Sequence, residues 1–228
     1  MSEELIGARR TQAANLPRMH ADAHRHLSRA DKRLAELIRR SRRYALEPAK
    51  LIRPFDALAE SIVYQQLSGK AAATIWRRVR DIFGSPRFLD PKKVLATADE
   101  VLRAAGLSRN KTAALKDLAQ KAIDGVVPTA RALVKMTDEE IIERLTQVRG
   151  IGRWTVEMLL LFDLARPDVW PINDLGVRKG FAKTFGKRKL PTPKQMAKLG
   201  EKFRPYRSAV AWYMWRALDT QTPGANRS

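Results

Sequence analysis

Apolar residues recur along most of this chain at the three-and-four spacing of buried helix faces. Phe55, Leu58, Ala59, Ile62 and Val63 share one such face behind Pro54, a residue suited to a first helical turn, so a helix is predicted over 54–64. Ala72, Ile75, Trp76, Val79 and Phe83 form the next stripe. Ser68 can cap it, and Gly84 and Pro86 stop it. Asp90-Pro91 opens a short helix over 90–96, another spans 99–105, and Ser108 caps a longer one over 108–123. Its Leu115, Leu118, Ala119 and Ala122 point inward and its Lys111, Lys116 and Lys121 outward. After a loop over 125–128, Thr137 and Glu140 make a capping box with a Met136–Ile141 staple, starting a helix over 137–147. Residues 155–164 are almost wholly apolar, at Val156, Met158, Leu159, Leu160 and Phe162, which marks a central core helix.

The flanks are less regular. Residues 1–18 read as a flexible leader, 22–38 as a first helix and 221–228 as a flexible tail. Pro171 biases 169–172 toward extended backbone, and Asn173 or Asp174 then caps a helix over 174–185. A basic loop, Gly186-Lys187-Arg188-Lys189, precedes a helix opened by Thr192-Pro193. Arg204-Pro205-Tyr206 introduces the last helix, carrying Val210, Tyr213, Met214 and Leu218. No stretch alternates with period two. The expected fold is all-α with about ten helices.

Composition narrows the partner. The 228 residues are 44% apolar, enough for a real core. Forty-four Lys+Arg against 24 Asp+Glu leave a formal charge of +20, which suits a polyanion such as nucleic acid, with an acidic membrane surface as the rival. No apolar run approaches a bilayer span and the first twenty residues lack a signal-peptide core, so a soluble intracellular protein is expected. The absence of cysteine excludes disulfides, thiolate zinc sites and Cys-ligated iron-sulfur clusters. His20, His24 and His26 read as surface residues rather than metal ligands. The cluster Arg39-Arg40-Ser41-Arg42-Arg43 is equally a solvated helix end and a phosphate contact.

The chemistry concentrates around Val148-Arg149-Gly150-Ile151-Gly152-Arg153-Trp154-Thr155, followed by Pro171-Ile172-Asn173-Asp174. Two glycines flanking one apolar residue make a tight turn between helices, since glycine takes positive φ at no steric cost. Backbone N–H groups at such a turn and at the following helix start suit a phosphate oxygen without reading base sequence, and Arg149 and Arg153 add charge. Alone, such a turn reads first as a structural joint between helices. Asp174 alone reads first as a plain N-cap.

The stretch 145–179 resembles the helix-hairpin-helix DNA glycosylases with a Gly/Pro-rich loop and a catalytic aspartate, most closely the 3-methyladenine DNA glycosylase II (AlkA-like and Mag-like) branch. The resemblance extends to Ser61-Ile62-Val63-Tyr64-Gln65-Gln66-Leu67-Ser68, to Gly106-Leu107-Ser108-Arg109-Asn110-Lys111 and to Arg204-Pro205-Tyr206-Arg207-Ser208, and so covers roughly residues 50–218. It implies two packed helical subdomains with the active-site cleft between them, one from 19–53 and 167–220, the other from 54–166 with the helix-hairpin-helix over about 138–164.

By position, the resemblance makes Asp174 the catalytic carboxylate. Breaking an N-glycosidic bond develops positive charge on the sugar, which a carboxylate beside it stabilises while orienting or deprotonating water, and a helix start favours the ionised form. Trp154 stands where relatives that also cleave the backbone carry a nucleophilic lysine; an indole cannot form a Schiff base, which implies a monofunctional enzyme leaving an abasic site. Its face suits a cationic alkylated purine, of the 3-methyladenine or 7-methylguanine type, and helix packing is the alternative. An alkylated base already carries charge and leaves readily, which fits the lack of a second carboxylate in the motif.

Gln66 matches the family's wedge into the gap left by the extruded base, with Leu67 as an alternative plug; Gln66 bonding across the helix junction is the plainer reading. Tyr64 and Trp215 are pocket walls or core. Tyr206, Leu175 and Met158 depart from aromatics of the pattern, which leaves lesion choice open. Gly150, Ile151, Gly152, Arg153 and Thr155 are the expected phosphate contacts. No cofactor is required by this reading, although the family's hairpin holds Na+ or K+ through backbone carbonyls, here those of Thr146, Val148 and Ile151. The expected partner is double-stranded DNA containing alkylated bases, met by a monomer in the cytoplasm and nucleoid, or the nucleus. A non-catalytic DNA-binding module and a glycosylase of the same fold for another damaged base are the alternatives.

Overall fold

The computed structural model describes residues 3–48, 53–84 and 88–218, with side chains from residue 15 onward. Among the described residues there are thirteen α-helices and no strand, so the fold is all-α. The tail expected at 221–228 and the Pro86 stop lie outside the described residues. Two more helices are present than the apolar pattern outlines, and both have local causes. The helix expected over 22–38 is two, α1 (Glu3–Ala30) and α2 (Lys32–Arg40), because Asp31 takes an extended φ of −161° and its carboxylate accepts the Arg33 N–H, starting a new helix. Residues assigned to the leader are thus helical from Glu3. A further helix, α8 (Ala130–Lys135), is capped by Thr129, whose hydroxyl accepts the Ala132 N–H.

The chain divides into two compact units, one within Met1–Lys50 and Glu157–Ser228, the other within Leu51–Val156. Where the sequence places that limit after residue 166, the contacts place it between Val156 and Glu157.

In the Leu51–Val156 unit, α3 (Pro54–Tyr64) packs on α4 (Gly69–Ile82) and on α7 (Arg109–Ile123), which also supports α5 (Pro91–Ala96) and α6 (Asp99–Ala104). Leu58, Ile62, Val63, Val79, Leu115 and Leu118 are fully buried, each side chain worth about 1.5–3 kcal/mol of burial. The capping box of α9 (Asp138–Leu145) forms as its sequence suggests, with Glu140 accepting the Thr137 N–H at 2.7 Å and Thr137 the Glu140 N–H at 3.3 Å. Ser68 occupies the N-cap of α4 but makes no side-chain cap bond.

In the other unit α11 (Leu175–Thr184) lies against α13 (Arg207–Ala217), and α2 packs on both. Gly180 makes the close approach possible, since a Cβ there would sit 2.0 Å from the Met214 carbonyl oxygen. The chain ends are tied by the Tyr44 N–H, which donates to the Tyr213 hydroxyl at 3.3 Å, and burial pushes both phenols up in pKa. The histidines are half-buried rather than on the surface: His20 bonds the Leu46 carbonyl and meets Tyr44 edge-on, while His26 faces Tyr206. Burial lowers the His20 pKa. Among the described residues no group of His, Cys, Asp and Glu could hold a metal ion, and no helix is long and apolar enough to cross a membrane.

Candidate active site

The candidate residues fall into two groups, one in each unit. In the Leu51–Val156 unit the turn after α9 is built almost entirely by backbone. Ile151 N–H donates to the Val148 carbonyl at 3.0 Å, and Gly150 takes φ +78°, a conformation in which a side chain would be strained. Gly152 differs from the sequence expectation: its φ is not positive, and a Cβ built on it meets nothing within 4 Å. The second glycine leaves open space instead of bending the chain. The Asp117 carboxylate accepts the Arg149 N–H at 2.7 Å, which anchors the turn to α7. Burial alone would raise the Asp117 pKa, but this bond and the Lys121 ammonium together hold it low.

The junction between α3 and α4 leans on the same turn. Gln65 Nε2 donates to the Gly150 carbonyl at 2.9 Å, so the bond considered for Gln66 is made by its neighbour. Gln66 itself is exposed at φ +57°, a left-handed backbone that costs about 1–3 kcal/mol in a non-glycine residue, and Leu67 beside it is 40% exposed. Lys111 corrects the outward face expected for it. Its ammonium donates to the carbonyls of Val63 and Gln65 at 2.7 Å each, satisfying the last turn of α3 where the helix dipole is negative. Desolvation lowers its pKa.

The remaining predicted residues of this unit are differently placed. Trp154, second residue of α10 (Arg153–Met158), is 43% exposed, whereas Thr155 is buried. Arg153 forks onto Glu139 with bonds of 2.9 and 3.0 Å, and that guanidinium holds the Glu139 carboxyl below its usual range. Tyr64 is half-buried at the end of α3.

In the other unit Asp174 is buried at the mouth of α11. The Asn173-or-Asp174 question resolves to Asp174, whose Oδ1 accepts the Val177 N–H at 2.7 Å and also the Trp215 indole N–H at 2.9 Å. Capping and chemistry are compatible here, because two donors converging on one oxygen fix the plane of the carboxylate. Gly176 lets the indole approach, since a Cβ there would lie 2.8 Å from Trp215 Cδ1. The preceding segment is pinned by Trp170, whose indole donates to the Met196 carbonyl at 2.7 Å, and by the Asp174 N–H, which donates to Pro171 at 3.0 Å.

Sequence patterning misplaced Phe162, expected in the core helix. The chain after Met158 widens into a π-helical turn, Leu159–Asp163, with the Leu164 N–H reaching back to the Leu159 carbonyl. That extra residue per turn leaves Phe162 half-buried and stacked on Trp215, ring centroids 5.7 Å apart at 28°. Phe162, Trp215 and Asp174 therefore form one cluster. A 3.6-residue period carries no sign of a π turn.

The chain matches the family model described as HhH-GPD superfamily base excision DNA repair protein over residues 59–205. It is 40% identical over 194 residues to DNA-3-methyladenine glycosylase 1 of Schizosaccharomyces pombe, covering 84% of each chain. Among solved structures, that of the Schizosaccharomyces pombe 3-methyladenine DNA glycosylase in complex with abasic-DNA superposes with a TM-score of 0.73 at 38% identity, over 86% of this chain and 95% of the other. A DNA-3-methyladenine glycosidase from Bacillus halodurans superposes with a TM-score of 0.77 at 31% identity, over 86% and 88%.

Proposed function

Because the chain belongs to the HhH-GPD superfamily of base excision DNA repair proteins, we propose that it is a monofunctional DNA-3-methyladenine-type glycosylase. It hydrolyses the N-glycosidic bond of alkylated purines in duplex DNA and leaves an abasic site. The observation that carries this reading is the Asp174 carboxylate held by Val177 and Trp215 beside the stacked Phe162. A carboxylate so held offers negative charge to the sugar as the bond breaks and directs water to it, with no reorganisation needed at that moment.

The other roles follow from exposure and chemistry. Gln66 and Leu67, on a strained and exposed turn, fill the gap in the base stack. Gly150, Ile151 and Gly152 present backbone to a phosphate, with open space at Gly152 for its approach. Arg153 would have to leave Glu139 to join them, and Thr155, buried in α10, would have to become accessible to make the contact expected of it. Trp154, 43% exposed, offers its indole to a cationic purine. With an indole there, no Schiff base forms and the DNA backbone stays intact.

In the same reading, the carbonyls of Thr146, Val148 and Ile151 would hold a monovalent cation. Val148 oxygen accepts one N–H and keeps a second lone pair, in a turn anchored at Arg149. Such an ion would add positive charge next to a phosphate. The protein acts as a monomer, wherever the cell keeps its DNA.

Incubation with methylated genomic DNA, followed by identification of each freed base, tests this function. Release of 3-methyladenine and 7-methylguanine is expected, without strand cleavage or borohydride trapping. Asp174→Asn should reduce release at least about a hundredfold and leave DNA binding within a few-fold. Binding without release by the unaltered protein would make it a DNA-binding module instead.

A further inference from the structure

A second charged region lies in the unit that holds Asp174, at the opposite end of α11. A cavity of about 530 Å³ is lined there by Lys187, Arg188, Lys189, Lys194 and Lys198, together with Pro191, Gln195 and Leu199. No acidic side chain among the described residues lines it.

Its walls are fixed. Gly186 takes φ +61° and the Lys187 N–H returns to the Ala182 carbonyl at 2.8 Å, closing the end of α11. Arg33 donates to the Phe185 carbonyl, and Arg178 Nε donates to the Pro191 carbonyl at 2.8 Å. A capping box between Thr192 and Gln195 sets the start of α12 (Pro193–Gly200).

The charges on this frame oppose the fold that carries them. Lys194 sits in the first turn of α12, which holds no acid, where the helix dipole repels a cation. Lys194 and Lys198 are like charges one turn apart. Carboxylates of adjoining segments are committed elsewhere, Asp31 to Lys202 and Glu201 to Arg204 and Arg207. A concave surface lined by one sign of charge focuses the field on its centre, and local rules broken together mark a functional surface.

We propose that this cavity binds the phosphodiester backbone of nucleic acid, as a contact additional to the hairpin and independent of Asp174. Polyphosphates share the chemistry, and the lysines read no base sequence. The contact adds salt-sensitive affinity for undamaged DNA and leaves the chemical step alone.

The test is fluorescence anisotropy of a labelled undamaged duplex with the whole 228-residue chain across a salt series. Lys187→Gln/Arg188→Gln/Lys189→Gln should make the slope of log affinity against log salt shallower by about 2.7, so that wild-type affinity falls roughly 40-fold more than the variant's between about 50 and 200 mM salt. Single-turnover base release at saturating protein should stay within about twofold, which separates failure here from failure of the glycosylase reading. Inorganic polyphosphate should compete with duplex for the wild type more strongly than for the variant. If the cavity grips a second duplex, wild type binds two short duplexes at low salt and the variant one; if it extends the grip on one duplex, the slope difference disappears with short duplexes. An unchanged slope with long duplexes overturns the proposal, including when the variant loses affinity for phosphatidylserine vesicles. So does an equal change in the charge-matched control Lys92→Gln/Lys93→Gln/Arg103→Gln, on exposed positions of α5 and α6.

Discussion

The hairpin of the Leu51–Val156 unit and the aspartate corner of the other unit use glycine in opposite ways. At the hairpin, Gly150 bends the chain and Gly152 keeps space empty. At the corner, Gly176, Gly180 and Gly200 are filled to contact, with Cβ positions 2.8, 2.0 and 2.3 Å from Trp215, Met214 and Trp170. Exposure follows the same division: Gln66, Leu67 and Trp154 stand out from the first, while Asp174 and Trp215 are buried in the second. One surface leaves space open around exposed side chains. The other is packed so that a single carboxylate cannot turn away.

The sharpest way to break this contrast is Gly180→Ala. A Cβ 2.0 Å from a backbone carbonyl forces α11 off α13, at a cost of about 3 kcal/mol or more, and the thermal midpoint should fall by about 6–12 °C. A midpoint within about 2 °C of wild type would show that the interface yields. Trp215→Phe keeps an aromatic ring against Phe162 and removes the N–H donor to Asp174. Loss of a hydrogen bond to a charged group, about 1.5–3 kcal/mol, predicts base release slower by roughly 10–150-fold with DNA affinity retained. Equal rates for the two proteins would assign Trp215 to packing alone.

On the exposed side the signs reverse. Trp154→Ala removes a stacking face worth about 1–3 kcal/mol, so release of alkylated purines should slow by roughly 5–150-fold while the thermal midpoint hardly moves. A midpoint that drops with the activity would place that indole in the core. Gly152→Ala has the smallest effect: stability should stay within about 0.5 kcal/mol, since neither φ nor space forbids the methyl, and duplex affinity should fall a few-fold. Unchanged affinity would remove Gly152 from the phosphate contact.

Legibility in the sequence followed the range of the interaction. Local signals within a few residues, the Thr137–Glu140 box and the Asp90 and Asp174 caps, appear in the structure where their residues stand. Signals carried by backbone geometry or by distant partners were silent. Lys111 reads as one more surface lysine until the end of α3 is folded 46 residues away, and Gln65 and Gln66 are indistinguishable until one finds Gly150. The π turn displaced Phe162 for the same reason: the apolar pattern counts residues, and the extra one is absorbed by backbone hydrogen bonds.

The unit assembled from both chain ends also sets an order of events during synthesis. Tyr44 emerges long before Tyr213, its partner 169 residues on, and at about 5–20 residues per second that interval lasts on the order of ten to thirty seconds. The Leu51–Val156 segment is contiguous and can pack meanwhile. Leu34 and Leu37 of α2 must wait exposed on the ribosome for α11 and α13, which leaves that stretch open to aggregation, or to a chaperone, until those helices emerge.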